Sequence, residues 1–271
     1  MTNTLSSTHR RFPPAPGAAF CPRPVPGAAL RLFLFHHAGG SHLVYRDWAT
    51  RFPADWEVRL LDAPGRGRLS DLPACTSAEQ LVDFFHDEIV LAMDRPFAFF
   101  GHSMGGLVAY ELANRLAAEG LPQPVWMGLS ARGAPSPQGE PLNRHLLPDA
   151  ELRRAVAAMG GTPAEILADE ELWQTFEPVI RGDLRLVETW RPRPGTPPLR
   201  VPLSVFGGTQ DVVVSRERLA AWSAHAERFQ GLHLYPGDHF YFRHRPQEIA
   251  DRITADIRAT VPALSRPAVM R

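Results

Sequence analysis

Lysine is absent from this sequence: all 29 basic residues among its 271 are arginine. That excludes a lysine base, a lysine Schiff base and the lysine of a phosphate-binding loop. Together with 27 prolines and abundant alanine, it reads as a GC-rich coding bias rather than a functional device. Cysteine is nearly absent. Cys21 and Cys75 are far apart, which excludes a disulfide framework and gives no zinc-ligand spacing. Net charge is also missing, with 29 acidic residues against 29 basic ones. A chain-wide electrostatic grip on nucleic acid or an anionic membrane is therefore not expected. No run approaches the 18 or so apolar residues of a membrane span. Pro13, Pro14, Pro16, Pro22, Pro24 and Pro26 interrupt every apolar run that could serve as a secretory core. A soluble cytoplasmic protein without metal or cofactor is the expectation, and a monomer the simplest state.

What is present is ordinary for a globular protein: 44% hydrophobic and 21% charged residues, on a chain long enough for a substantial core. Residues 1–28 read as a flexible Pro-rich leader and 262–271 as a flexible tail. Between them, over 29–261, short apolar runs alternate with helical periods. Leu30–Phe35, Glu57–Leu61, Phe97–Phe100, Val125–Leu129, Val201–Phe206 and Leu232–Tyr235 read as buried strands. Thr76-Ser77-Ala78-Glu79 matches a capping box opening one helix, residues 104–119 form a second ending at Gly120, and Ile249, Ile253, Ile257 and Val261 stripe a last one. Alternation of this kind predicts an α/β fold with a mostly parallel sheet covered on both faces. Residues 142–190 break the pattern. Asp149 opens a short helix, Thr162-Pro163-Ala164-Glu165 matches a second capping box, and Val179, Ile180, Leu184, Val187 and Trp190 suggest a third helix. A strandless segment of this length is expected to be a lid.

Chemistry concentrates at Gly101-His102-Ser103-Met104-Gly105, a G-x-S-x-G between a strand and a helix. In that context the glycines permit a sharp turn that presents the serine oxygen at the strand end, a nucleophile elbow. A serine nucleophile needs a base and an orienting acid, in the chain order Ser, acid, His. Asp211 follows one strand and His239 follows the next, so both fall on loops at the same edge as Ser103. Asp238 is a rival acid, but adjacent residues seldom set a carboxylate against the neighbouring imidazole. The elbow should turn the His102 side chain elsewhere. The backbone N–H groups of Met104 and of Ala38, in His36-His37-Ala38-Gly39-Gly40-Ser41, are the expected oxyanion hole.

His37-Ala38-Gly39-Gly40-Ser41, Pro64-Gly65-Arg66, Gly101-His102-Ser103-Met104-Gly105-Gly106, Gly207-Gly208-Thr209-Gln210-Asp211 and Gly237-Asp238-His239-Phe240 occur in that order. Across residues 30–257 the chain thereby resembles the type II thioesterases of polyketide and nonribosomal peptide biosynthesis. The resemblance implies the α/β-hydrolase fold and a helical lid at about 142–190. It implies a Ser103, Asp211 and His239 triad with Ala38 and Met104 as oxyanion donors. It also implies hydrolysis of acyl groups from the phosphopantetheine arm of an acyl or peptidyl carrier protein. Gly67 departs from the family, where many members carry Glu, and leaves the role of that loop open. A general carboxylesterase or lipase of the same fold is the alternative function, and a catalytically dead, carrier-binding relative a third. No carrier-like segment is fused to the chain, which favours a stand-alone enzyme. Arg191, Arg193, Arg243 and Arg245 are local candidates to meet an acidic carrier.

Overall fold

The computed structural model describes residues 17–136, 142–261 and Leu264. Its strands are β1 (Ala19–Phe20), β2 (Leu30–Phe35), β3 (Trp56–Leu61), β4 (Phe97–His102), β5 (Trp126–Ser130), β6 (Leu203–Gly208) and β7 (Phe229–Tyr235). They form one sheet in the order β1-β3-β2-β4-β5-β6-β7. Every neighbouring pair is parallel except β1 with β3. Its helices are α1 (Ala78–Val90), α2 (Met104–Ala118), α3 (Asp149–Met159), α4 (Ala164–Ala168), α5 (Glu170–Thr189), α6 (Arg216–Ala220) and α7 (Pro246–Thr260).

The apolar runs become strands because both of their faces are covered. Successive side chains point to opposite sides of a strand. Phe33, Phe35, Phe97 and Phe99 therefore pack with Leu81, Phe85 and Ile89 of α1 and Leu107 and Leu112 of α2. Leu32, Leu34, Ala98 and Phe100 turn the other way, onto Tyr45, Trp48 and the Ile249, Ile253, Ile257 stripe of α7. A third, separate cluster of Leu152, Val156, Trp173, Ile180 and Leu184 holds α3 and α5 together. Between β5 and β6 the described residues 144–189 are thus mostly helical, as the sequence indicates, with an apolar core of their own.

Several local details differ from the sequence reading. Residues 17–28 are not a free leader: β1 adds an antiparallel edge to β3, and Ala18 and Ala28 are buried. Two residues of strand are too short to show in a proline-rich stretch. The remainder of the expected leader, 1–16, lies outside the described residues, as does the expected tail apart from Leu264, which packs against the α7 side of the core. The cap of α1 sits one residue later than expected. Ser77 Oγ accepts from Gln80 N–H, and Gln80 Oε1 reaches back to Thr76 N–H at 2.9 Å. At α4 no capping box forms, because Pro163 occupies the cap position and has no side-chain acceptor. The third helix of the insertion begins earlier, at Glu170, where Asp169 accepts from Leu172 N–H, and it runs through Pro178.

The β4–α2 junction has no spare room. A Cβ on Gly101 would lie 2.6 Å from Gly106 N, and one on Gly105 would lie 2.6 Å from the Phe35 carbonyl carbon. Alanine normally stabilises a helix relative to glycine. Gly105→Ala should instead destabilise the protein by about 3 kcal/mol, because neither backbone can yield cheaply. Gly120→Ala is the control, with nothing within 4 Å and only its φ of +68° to strain; it should cost about 1 kcal/mol. Thermal melts of the two variants check this, and equal losses would contradict the packing argument.

Candidate active site

Because β4, β6 and β7 run parallel, the loops leaving their C-terminal ends share one edge of the sheet. Ser103 follows β4 directly, with φ 55° and ψ −111°, outside the regions that side chains usually adopt. Its N–H donates to Ser130 O at 2.8 Å, and its carbonyl accepts the first bonds of α2 from Gly106 and Leu107. The strained turn is held from both sides, as a nucleophile elbow requires.

Asp211 follows β6. Its Oδ1 accepts from the N–H groups of Val213 and Val214, at 2.7 and 3.1 Å. This fixes Oδ2 against His239 Nδ1 at 2.8 Å. Both side chains are almost fully buried. Asp238 is committed elsewhere, accepting from Phe240 N–H at 2.7 Å. Of the two acids considered, Asp211 is therefore the one bonded to the imidazole. Nδ1 donates to that carboxylate, leaving Nε2 as the basic nitrogen. Ser103 and His239 line one cavity of about 310 Å³, together with Ala38, Phe240 and, from the helical insertion, Val156, Ile180 and Trp190.

The loop after β2 also reaches this cavity. Gly40 N–H donates to His37 O at 3.0 Å and Gly39 N–H to Asp183 Oδ2 at 2.7 Å, while Ala38 lines the cavity wall. Met104 is the first residue of α2, where a helix N–H has no partner within the helix. The dipole there favours developing negative charge.

Three buried histidines surround the site. His36 donates from Nδ1 to His37 O at 2.7 Å and accepts Ala63 N–H on Nε2. His37 donates to Ala38 O at 2.8 Å. His102, which is fully buried, bonds through Nδ1 to Ser130 Oγ at 2.8 Å. Burial, reinforced by Arg66, holds His36 down at about 4. Burial holds His37 at about 3 and His102 well below the usual imidazole range. They are neutral structural groups.

Two features escaped the sequence reading. Arg66, of Pro64-Gly65-Arg66, makes a buried bidentate pair with Asp183 of α5. An acid at i+3 from Ile180 on the apolar stripe of α5 was the available signal. Asp62 is the second. Its buried carboxylate binds His42 N–H and Nδ1, both at 2.7 Å. It fills the space beside Gly67, where a Cβ would lie 2.8 Å from Asp62 Cγ. That occupation explains glycine at this position. Of the arginines considered for a carrier, Arg243 donates to Gly161 O and stacks on Phe240, Arg245 pairs with Glu248, and Arg191 lines the cavity.

A strained serine, an imidazole oriented by a carboxylate and two candidate N–H donors around one cavity suit acyl transfer. Comparison with known proteins gives the class. The family described as "Thioesterase domain" matches residues 30–257. The chain belongs to that thioesterase family. This thioesterase is 32% identical to the gramicidin S biosynthesis protein GrsT of Aneurinibacillus migulanus, over 85% of this chain and 90% of that protein. It is 36% identical to the AMB antimetabolite synthetase AmbE of Pseudomonas aeruginosa over 86% of this chain, which is only 11% of that much longer protein. The solved type II thioesterase BorB from the borrelidin biosynthetic cluster superposes with a TM-score of 0.80 at 34% identity, covering 89% of this chain and 97% of that one. The thioesterase has the α/β-hydrolase fold that its sequence resemblance implied, and it is a serine hydrolase acting on thioesters. Among the described residues no helix is long and apolar enough to cross a membrane.

The buried histidines predict acid sensitivity. A base whose folded pKa lies below its unfolded value of about 6.5 contributes its full stability above that value and loses it as pH falls. For His36 and His37 the loss continues to about pH 4 and about pH 3. Each should remove about 1.4 kcal/mol per pH unit within the window. Tm should therefore fall clearly between pH 7 and pH 5, before most carboxylates titrate. A flat Tm over that range would show that these rings are not held neutral.

Proposed function

We propose that this thioesterase hydrolyses acyl groups from the phosphopantetheine arm of carrier proteins, freeing biosynthetic assembly lines blocked by a stalled chain. The observation that carries the chemistry is His239 held by Asp211 in the cavity that Ser103 lines. The carrier-bound substrate is supported by the biosynthetic relatives, among them a gramicidin S biosynthesis protein and a type II thioesterase of the borrelidin cluster.

In this reading Ser103 Oγ attacks the thioester carbonyl while His239 Nε2 takes its proton. The N–H groups of Ala38 and Met104 hold the carbonyl oxygen as it becomes an anion. Collapse breaks the C–S bond, and His239 returns the proton to the departing pantetheine sulfur. A water then attacks the acyl-enzyme, giving its proton to His239. A second collapse breaks the bond from the acyl carbon to Ser103 Oγ, which takes back the proton from His239, and releases the carboxylic acid. Asp211 stays ionised throughout and stabilises the imidazolium.

The insertion, 142–190, acts as the lid of this cavity. Val156, Ile180 and Trp190 line the space an acyl chain would occupy, while the separate apolar cluster holds α3 and α5 together as a unit. Carrier protein is the partner, and Arg191, which lines the cavity with its guanidinium on the Glu188 and Trp190 carbonyls, is of the arginines considered the one nearest the entering arm.

Ser103→Ala should lower turnover by about 10⁴-fold or more, because triad members act as a unit. Asp211→Asn should slow hydrolysis heavily and Asp238→Asn much less, by the bonding each makes. One acyl group should be presented on carrier protein, on coenzyme A and on nitrophenol. The highest kcat/KM is expected on the carrier, since remote contacts help position the carbonyl. The free acid should be the product. Preference for the nitrophenyl ester would favour a general esterase, and a cyclised product would indicate chain release by an internal nucleophile.

A further inference from the structure

The Arg66–Asp183 pair is buried, with Arg66 7% and Asp183 1% exposed. Stability alone is a poor reason for such a pair, since apolar residues of similar size commonly replace buried ion pairs at no loss. What an apolar residue could not do is accept a hydrogen bond, and Asp183 accepts one more. Gly39 N–H donates to its Oδ2 at 2.7 Å, while Arg66 Nη2 donates to Oδ1 at 2.8 Å and Nη1 to Oδ2.

Gly39 adjoins Ala38. The planar Ala38–Gly39 peptide is pinned at both ends, its N–H by Asp183 and its C=O by His37 Nδ1 at 2.8 Å. The preceding His37–Ala38 peptide is pinned at its carbonyl, which accepts from His36 Nδ1 and from Gly40 N–H. With these groups fixed, the direction of the Ala38 N–H is fixed too. Helix α5 packs directly on the loop: a Cβ on Gly39, whose φ is +74°, would lie 3.0 Å from Ile180 Cγ1. Ile180 and Asp183, one helical turn apart, therefore both bear on Gly39.

We propose that Asp183 is a positioning residue for the oxyanion loop. Carried on α5 and held in place by Arg66, it grips Gly39 N–H so that Ala38 N–H is preorganised toward the cavity. The Pro64-Gly65-Arg66 loop is thereby given a role: its guanidinium fixes the carboxylate. Seating of α5 and completion of the oxyanion hole become one event. This rests on Ala38 as an oxyanion donor, as read above.

The test compares two double variants, Arg66→Met with Asp183→Asn and Arg66→Met with Asp183→Leu. Both remove the buried charges and conserve side-chain size, but only the asparagine can still accept from Gly39. With an acyl-pantetheine thioester, the leucine variant should have a kcat about 10²-fold below the asparagine variant, the loss expected for one oxyanion donor. KM should stay within about threefold, as for an interaction made only in the transition state. An alkylboronic acid, whose tetrahedral adduct on Ser103 mimics that state, should bind the leucine variant more weakly by a similar factor. Equal kcat values, whether high or low, would overturn the proposal, because a merely structural pair is lost equally in both. Hydrogen exchange of the intact wild-type protein tests it without substitution. The Gly39 amide should exchange on the order of 10³-fold more slowly than a free loop amide, and exchange at the unprotected rate would overturn the proposal. Ser103→Ala is assayed alongside. Retained activity there would sink the active-site reading itself, whereas an inactive Ser103→Ala with equal double variants would sink only the role of Asp183.

Discussion

The turn at Ser103 puts a non-glycine residue at φ 55°, a conformation that costs on the order of 1–3 kcal/mol and persists only where the surroundings impose it. Here they do so through contact between backbones. Gly101 lets β4 touch the start of α2, and Gly105 lets α2 touch the end of β2. The same approach brings the loop after β2, with Ala38, beside the amino terminus of α2, with Met104. One packing constraint thus sets both the direction of Ser103 and the spacing of the two candidate oxyanion donors.

The parallel sheet then supplies the remaining groups. Asp211 and His239 come from loops after adjacent strands, so the order of β6 and β7 in the sheet determines that they meet. Two backbone N–H groups hold Asp211 Oδ1, which leaves one oxygen and one direction for His239. Around the site, His36, His37 and His102 each bond through Nδ1 to backbone or to Ser130. They act as rigid, uncharged spacers around the reacting groups.

The strands were legible in the sequence because two-sided burial leaves a continuous apolar run, as in Leu32–Phe35 and Phe97–Phe100. That Ser103, Asp211 and His239 would lie at one edge was legible because parallel topology places residues after strands there, so chain order and strand ends suffice for their placement. The choice of Asp211 over Asp238 followed from adjacency, and the bonds of the two carboxylates supply its physical cause. Asp183 showed in the sequence only as an acid on the apolar stripe of α5, and what it does there was not legible. Its role depends on a partner, Arg66, far away in sequence and on a backbone amide, neither of which has a periodic signature. Strand β1 was hidden for a different reason: two residues of edge pairing carry no pattern, and the prolines around them argue for a loop. The cap of α1 slipped by one residue because Thr76 and Ser77 are both competent acceptors and only the backbone path chooses between them.

The claim on which the account rests is that one serine, Ser103, carries the acyl group. The most direct measurement is titration with a fluorophosphonate, followed by mapping of the modified peptide by mass spectrometry and assay of the remaining hydrolysis of acyl-carrier protein. The account predicts one label per chain, on Ser103, with activity lost in proportion to labelling. A label on a different residue, or full labelling of Ser103 with hydrolysis undiminished, would contradict it.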